Sequence, residues 1–190
     1  NLQENESILF QDESSFYFSA EPHRMWAPKG SKPIIRVHSG RKRLNVIGAI
    51  DPVQGRGFFQ YIKNLDAKNF GQFLCGILGQ YPENHKVYMI LDNARPHHAK
   101  MLKDWLHSNR HRIELMFLPP YCPDLNPIEG IWQDAKSQTT YNEFYEIFDH
   151  FQAALTSKLR ELGSNAQKLA SRCNLKKFMM NSLPCNSTDS

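Results

Sequence analysis

The chain has 190 residues, 41% hydrophobic and 22% charged, ordinary proportions for one folded, water-facing domain. Its 23 Lys and Arg outnumber 19 Asp and Glu, and the resulting +4 permits a polyanionic partner without demanding one. No apolar run approaches the length of a membrane span and nothing resembles a secretory signal, which excludes a helical membrane protein and points to a cytoplasmic setting.

In chain order, residues 7–12 read as a short buried strand, 24–30 as a turn-rich ribbon, and 33–38 as a second strand. Trp26, inside the ribbon, is expected to cap the core. Gly40-Arg41-Lys42-Arg43 is a basic loop ahead of strands at 44–50 and 57–62. Residues 66–80 form a helix whose apolar stripe runs through Phe70, Phe73, Leu74, Ile77 and Leu78 to Tyr81. Five consecutive apolar residues at 87–91 predict a strand buried on both faces. A helix at 99–108 turns Leu102, Trp105 and Leu106 inward, and 113–118 is another buried strand. Pro119-Pro120-Tyr121-Cys122-Pro123 makes a stiff connector to helices at 127–138 and 141–162. In the last of these, Phe144, Phe148, Phe151, Leu155, Leu159 and Leu162 supply the core stripe.

Early strands joined by short turns are expected to pair antiparallel, and later strands alternating with helices to run parallel. The fold class is therefore α/β, a mixed β-sheet flanked by helices over residues 1–162. Residues 163–190 read as a polar tail, partly disordered, with Arg172, Lys176 and Lys177 ahead of Phe178-Met179-Met180. Cys75, Cys122, Cys173 and Cys185 show no metal-ligand spacing and are read as free thiols. The adjacent side chains of His97 and His98 diverge, which argues against a transition-metal site. Asn1 is not an initiator Met, so the chain reads as part of something longer.

Three carboxylates stand where carboxylates are awkward. Asp12 ends the first apolar strand, where it either opens the next turn or serves a site, and its neighbour Glu13 points to the opposite face. Asp92 directly follows 87–91 and precedes Asn93-Ala94-Arg95-Pro96, which reads as an Asx turn or as a ligand at a strand's carboxyl end. Glu129 follows Asn126, a good N-cap, and Pro127, so it either closes a capping box or completes a metal cage. All three segments can converge on one edge of one sheet. Clustered anions persist only with protons or cations to neutralise them, and all-oxygen ligation favours Mg²⁺ or Mn²⁺.

Four blocks together carry a resemblance: Phe10-Gln11-Asp12-Glu13-Ser14, Trp26-Ala27-Pro28-Lys29-Gly30, Leu91-Asp92-Asn93-Ala94-Arg95-Pro96-His97-His98, and the stretch from Leu118 through Asp124-Leu125-Asn126-Pro127-Ile128-Glu129. They resemble the signature blocks of the mariner superfamily of DDE transposases, in its bacterial insertion-sequence branch, over residues 8–136. The resemblance implies a ribonuclease H-like catalytic domain with two divalent ions, Asp12 bridging both, Asp92 holding one and Glu129 the other. It implies hydrolysis of phosphodiesters at transposon ends and joining of the freed 3′-hydroxyl to target DNA, without a covalent enzyme intermediate. Double-stranded DNA is the implied partner, and a homodimer the implied active assembly. The family's N-terminal helix-turn-helix region has no counterpart here, so weak, salt-sensitive binding is expected from this chain alone.

Arg24, Lys29, Arg41, Lys42, Arg43, Arg95 and Lys136 are the candidate phosphate contacts, each equally readable as a solvated surface charge. Lys136 lies two helical turns beyond Glu129 on the same face. Competing readings are a different nuclease of this fold, or a catalytically inactive, domesticated transposase kept for DNA binding or assembly. The presence of all three carboxylates favours chemistry. A metal-dependent phosphatase would bring clustered His and Asp ligands, which the sequence lacks.

Overall fold

A computed structural model of the chain describes residues 3–119 and 125–173. Five strands, β1 (Glu6–Tyr17), β2 (Arg43–Asp51), β3 (Arg56–Ile62), β4 (Lys86–Leu91) and β5 (Ile113–Phe117), form one sheet in the order β3-β2-β1-β4-β5. Strands β1, β2 and β3 pair antiparallel, β2 and β3 through a short turn and β1 and β2 across a long irregular segment, while β4 pairs parallel with both β1 and β5. Helices α1 (Ala67–Leu78) and α2 (Lys100–Ser108) cover one face, and α3 (Ile128–Thr139), α4 (Phe148–Ser164) and α5 (Ala166–Cys173) the other. This is the mixed sheet flanked by helices that the element order requires.

The two-residue period of the strands divides the core in two. Leu9, Ile47, Ala49, Met89 and Leu91 pack under α1, and Phe10, Phe16, Val46 and Ile50 under α3 and α4. The side chain of Asp66 accepts from the Asn69 N–H at 2.8 Å and starts α1, which then buries Phe70, Phe73, Leu74, Ile77 and Leu78 as its periodicity demands.

Several elements depart from the sequence reading. Residues 33–38 are not a strand, and Trp26 is fully exposed (101%) rather than core. The irregular segment between β1 and β2 is held by its stems instead. His38 is sandwiched between Phe18 and Phe144 at ring distances of 4.1 and 4.6 Å, and Glu21 bridges to Tyr141. That bridge also explains why the last long helix begins at Phe148 and not at 141. The Glu21 backbone bonds to Thr140 and Asn142, and Asn142 turns the chain at a φ of 58°. Strand β4 alternates between buried Val87, Met89 and Leu91 and half-buried Lys86, Tyr88 and Ile90, because its second face is only partly covered. Strand β5 lies at the sheet edge and buries only Ile113, leaving Met116 and Phe117 exposed.

Residues 163–173, read as the start of a tail, continue the domain. Leu169 and Cys173 enter the α3–α4 core, and Arg172 and Lys158 pair with buried Asp134 at 3.0 and 2.9 Å, joining α3, α4 and α5. Cys75 is exposed and Cys173 buried, both as free thiols, and burial pushes Cys173 up to about 12. Residues 120–124 of the connector with Cys122, the cluster Lys176, Lys177 and Phe178-Met179-Met180, Cys185 and the final residues lie outside the described residues. No helix among the described residues is long and apolar enough to cross a membrane.

Candidate active site

Strand β1 outlasts its parallel neighbour. Its last pair with β4 is Phe10↔Ile90, whereas pairing with β2 continues to Tyr17↔Arg43. Asp12 therefore sits inside β1 and does not open a turn. Two residues beyond the last parallel pair on each strand, Asp12 and Asp92 reach the same level of the sheet, where the β1–β4 ladder has ended.

Asp12 faces α3. The Trp132 indole Nε1–H donates to Asp12 Oδ2 at 3.1 Å, and Glu129 lies one helical turn earlier. Burial first, and the nearby Glu129 carboxylate second, push Asp12 up to about 7, despite opposing hydrogen bonds from the Glu13 backbone and Trp132. The start of α3 is fixed by Asn126, though not as a cap: α3 has no side-chain cap, and Asn126 Nδ2 donates to the Gln11 carbonyl at 2.9 Å. The capping box is thus not formed, and the Glu129 side chain stays exposed beside Asp12.

Asp92 begins the loop after β4. Its Oδ1 accepts from the Ala94 N–H at 3.0 Å, so the Asx turn is present. The same oxygen lies 3.2 Å from Nδ1 of His97, which sits in the 3₁₀ turn Arg95–His98 and is 3% exposed. On the other side of that ring, Nε2 faces Glu13 Oε1 at 3.6 Å, an ion-pair rather than a hydrogen-bond separation. Glu13 does point away from Asp12, and it also accepts from Gln11 Nε2 at 2.7 Å. Burial pulls the His97 pKa down, but Glu13 and then Asp92 outweigh it and the net shift is upward.

The structure thus brings Asp12 and Glu129 together and turns Asp92 toward His97. Among the described residues no three His, Cys, Asp or Glu side chains are gathered closely enough to hold an ion. The donor set nevertheless fits a hard divalent cation. It is all oxygen, Asp12 is a partly buried carboxylate whose charge is unfavourable without a cation, and Asp92 is exposed enough (58%) to swing about its own side-chain torsions.

Most of the candidate phosphate contacts share the carboxylates' end of the sheet, because Arg43 pairs with Tyr17 at the carboxyl end of β1. Arg41, Lys42 and Arg43 are exposed there, with Lys42 Nζ 3.6 Å over the Phe148 ring and Arg43 5.9 Å from the Tyr17 ring. Lys136 Nζ lies 5.9 Å from the Phe16 ring, farther along α3 than Glu129, and exposed Arg95 follows Asp92 closely. Arg24 and Lys29 are exposed on the irregular segment between β1 and β2.

Sequence reading passed over Trp132, the bracing role of Asn126 and the Glu13–His97 pair. Trp132 had a signal, since it is three residues after Glu129 and shares its helix face. Glu13 and His97 had none, being 84 positions apart with no shared pattern.

The sequence model of a family described as DDE superfamily endonuclease matches residues 7–152. An uncharacterized protein of Sinorhizobium fredii, y4pE/y4sA, is 31% identical over 104 residues, 55% of this chain and 73% of that protein. Among solved structures, the Mos1 strand transfer complex matches with a TM-score of 0.69 at 15% identity, over 92% of this chain and 52% of that one. The catalytic domain of Mos1 mariner transposase matches with a TM-score of 0.60 at 16% identity, over 92% of this chain and 82% of that one. At such identities the likeness establishes the fold, a ribonuclease H-like mixed sheet. The chain spans about half the length of the Mos1 chain in the strand transfer complex.

Proposed function

Because the chain belongs to the DDE superfamily endonucleases, we propose that it is the catalytic domain of a DNA transposase, with Asp12, Asp92 and Glu129 as the ligands of two Mg²⁺ or Mn²⁺ ions. The observation that carries this reading is the Asp12–Glu129 pair. Burial and the nearby Glu129 carboxylate raise the affinity of Asp12 for positive charge, a proton in isolation and a cation in use. Mos1, the fold relative, has been solved in paired-end complexes with Mn and with Mg.

When bound, the divalent cations supply Lewis acidity at a scissile phosphate. The chain's own residues do the rest. Asp12 and Glu129 approach from a strand and a helix braced together by Asn126, so their separation is set before substrate arrives. Arg41, Lys42, Arg43, Arg95 and Lys136 provide positive charge at the same end of the sheet for double-stranded DNA. Hydrolysis at a transposon end frees a 3′-hydroxyl, and the same site then joins it to target DNA, in a homodimer working on DNA in the cytoplasm. A catalytically inactive, DNA-binding reading is favoured by one feature alone: Asp92 is engaged with Ala94 and His97 rather than with the other two carboxylates.

Nicking of a supercoiled plasmid in low salt, with Mg²⁺ or Mn²⁺, compares this chain with its Asp92→Ala variant. Metal-dependent nicking that disappears in the variant is the expected result. Absence of nicking, even when the chain is joined to a region that recognises DNA ends, would leave the DNA-binding reading standing.

A further inference from the structure

We propose that Trp132 is a positioning residue for Asp12: its indole N–H holds Oδ2 and so fixes the orientation in which the carboxylate meets a divalent cation. The inference rests on the reading of Asp12 as a metal ligand, and it adds a group that touches neither metal nor DNA. Trp132 is 1% exposed and fully embedded among apolar side chains, yet its one polar atom meets the Asp12 carboxylate at 3.1 Å. A tryptophan that only filled volume would have no reason to aim its N–H there, since a buried donor needs a partner but not an anionic one.

The sheet is shaped to receive the ring at this one place. In the β1–β2 ladder the residue opposite Asp12 is Gly48. A Cβ on Gly48 would stand 2.5 and 2.9 Å from two carbons of the indole's six-membered ring, so a side chain there would force the ring off the strand. Phe16 and Phe59 meet the indole edge-on, with centroids 6.1 and 5.6 Å away, and fix its remaining rotation. Phe59 is itself the β3 partner of Gly48. Three strands thus hold one indole in one orientation, and that orientation points its N–H at Asp12. Groups that orient a ligand in this way typically change metal affinity by about 10–100-fold when removed.

The test is Mn²⁺ binding to the whole chain, read from the electron paramagnetic resonance of free Mn²⁺, for wild type, Asp12→Asn, Trp132→Phe and Phe151→Leu. Phe151 is fully buried in the same core, and its rings of contact are Phe18, Tyr145 and Phe148, so its variant controls for lost packing. The expected pattern is binding by wild type, loss in Asp12→Asn, roughly tenfold weakening or more in Trp132→Phe, and wild-type affinity in Phe151→Leu. Wild-type affinity in Trp132→Phe, alongside loss in Asp12→Asn, overturns the role of Trp132 while sparing the metal reading. Equal binding by wild type and Asp12→Asn overturns the metal reading itself. Should Trp132→Phe not fold, the indole ¹⁵N–H resonance of Trp132 decides. It shifts on Mg²⁺ addition in wild type and not in Asp12→Asn, and an unmoved resonance in a chain that binds Mn²⁺ through Asp12 overturns the proposal.

Discussion

His97 grips Asp92 twice, with Nδ1 3.1 Å from its carbonyl oxygen and 3.2 Å from its carboxylate Oδ1. One buried ring, packed at a tilt against Phe70 with centroids 4.4 Å apart, therefore sets both the main chain and the side chain of the residue that leaves β4. Its other nitrogen faces Glu13 on β1, so the strand that carries Asp12 and the loop that carries Asp92 are also joined through this histidine.

The His97 contact should depend on pH in a definite direction. Its pKa in the fold lies above the ordinary 6.5, so the stabilisation is complete below 6.5 and is lost as pH rises through the folded value. Wild type should exceed His97→Gln in urea unfolding by about 1–3 kcal/mol at pH 6, with a smaller gap at pH 9. A gap independent of pH would mean that the ring contributes packing alone.

Asp12 should act in the same pH sense for the opposite reason. Its pKa is raised from 3.8 to about 7, so without cations its charge weighs against the fold. The native state loses stability as pH climbs from about 4 through 7, by at most ~4 kcal/mol. Asp12→Asn should therefore be the more stable protein at pH 8 and lose that advantage below pH 4. Added Mg²⁺ should raise the melting temperature of wild type at pH 8 and leave the variant unmoved. Identical pH profiles for the two proteins would contradict the assignment.

Helix α5 should prove integral to the domain. A Cβ at Gly130 of α3 would stand 2.3 Å from the Arg172 carbonyl oxygen, and at Gly55, where φ is +68°, 2.2 Å from Ala166 Cβ. Gly130→Ala should cost about 1–3 kcal/mol by displacing α5, measurable as a shift in the urea midpoint. An unshifted midpoint would show that α5 contributes nothing to stability.

The basic loop should govern DNA affinity without sequence preference. Lys42→Ala and Arg43→Ala should each weaken binding to unrelated duplexes equally and lower the slope of log affinity against log salt by about 1. Fluorescence anisotropy across a KCl series reads this directly. Unchanged slopes would place the DNA on another face.

Much of this molecule was legible along the chain. The α1 stripe from Phe70 to Leu78, the mixed pairing of strands and the position of Asp92 directly after β4 follow from periodicity, element order and a polar residue ending an apolar run, whereas Asp12 lies inside β1 rather than at its end. Such signals are local, because a helix or strand records in its own spacing which face it buries. Burial depends on what covers that face, so the exposed edge at β5, the irregular course of residues 33–38 and the packing of α5 escaped the pattern.

The carboxylates, their order and their chemical type were determined by the sequence. The environment that gives Asp12 its raised pKa was decided only by tertiary structure, through burial first and the Glu129 carboxylate second, on a helix that Asn126 braces to Gln11 across 115 residues. A carboxylate's charge state is set by burial and by neighbours a few ångströms away, and those neighbours become neighbours only when β1 and α3 pack.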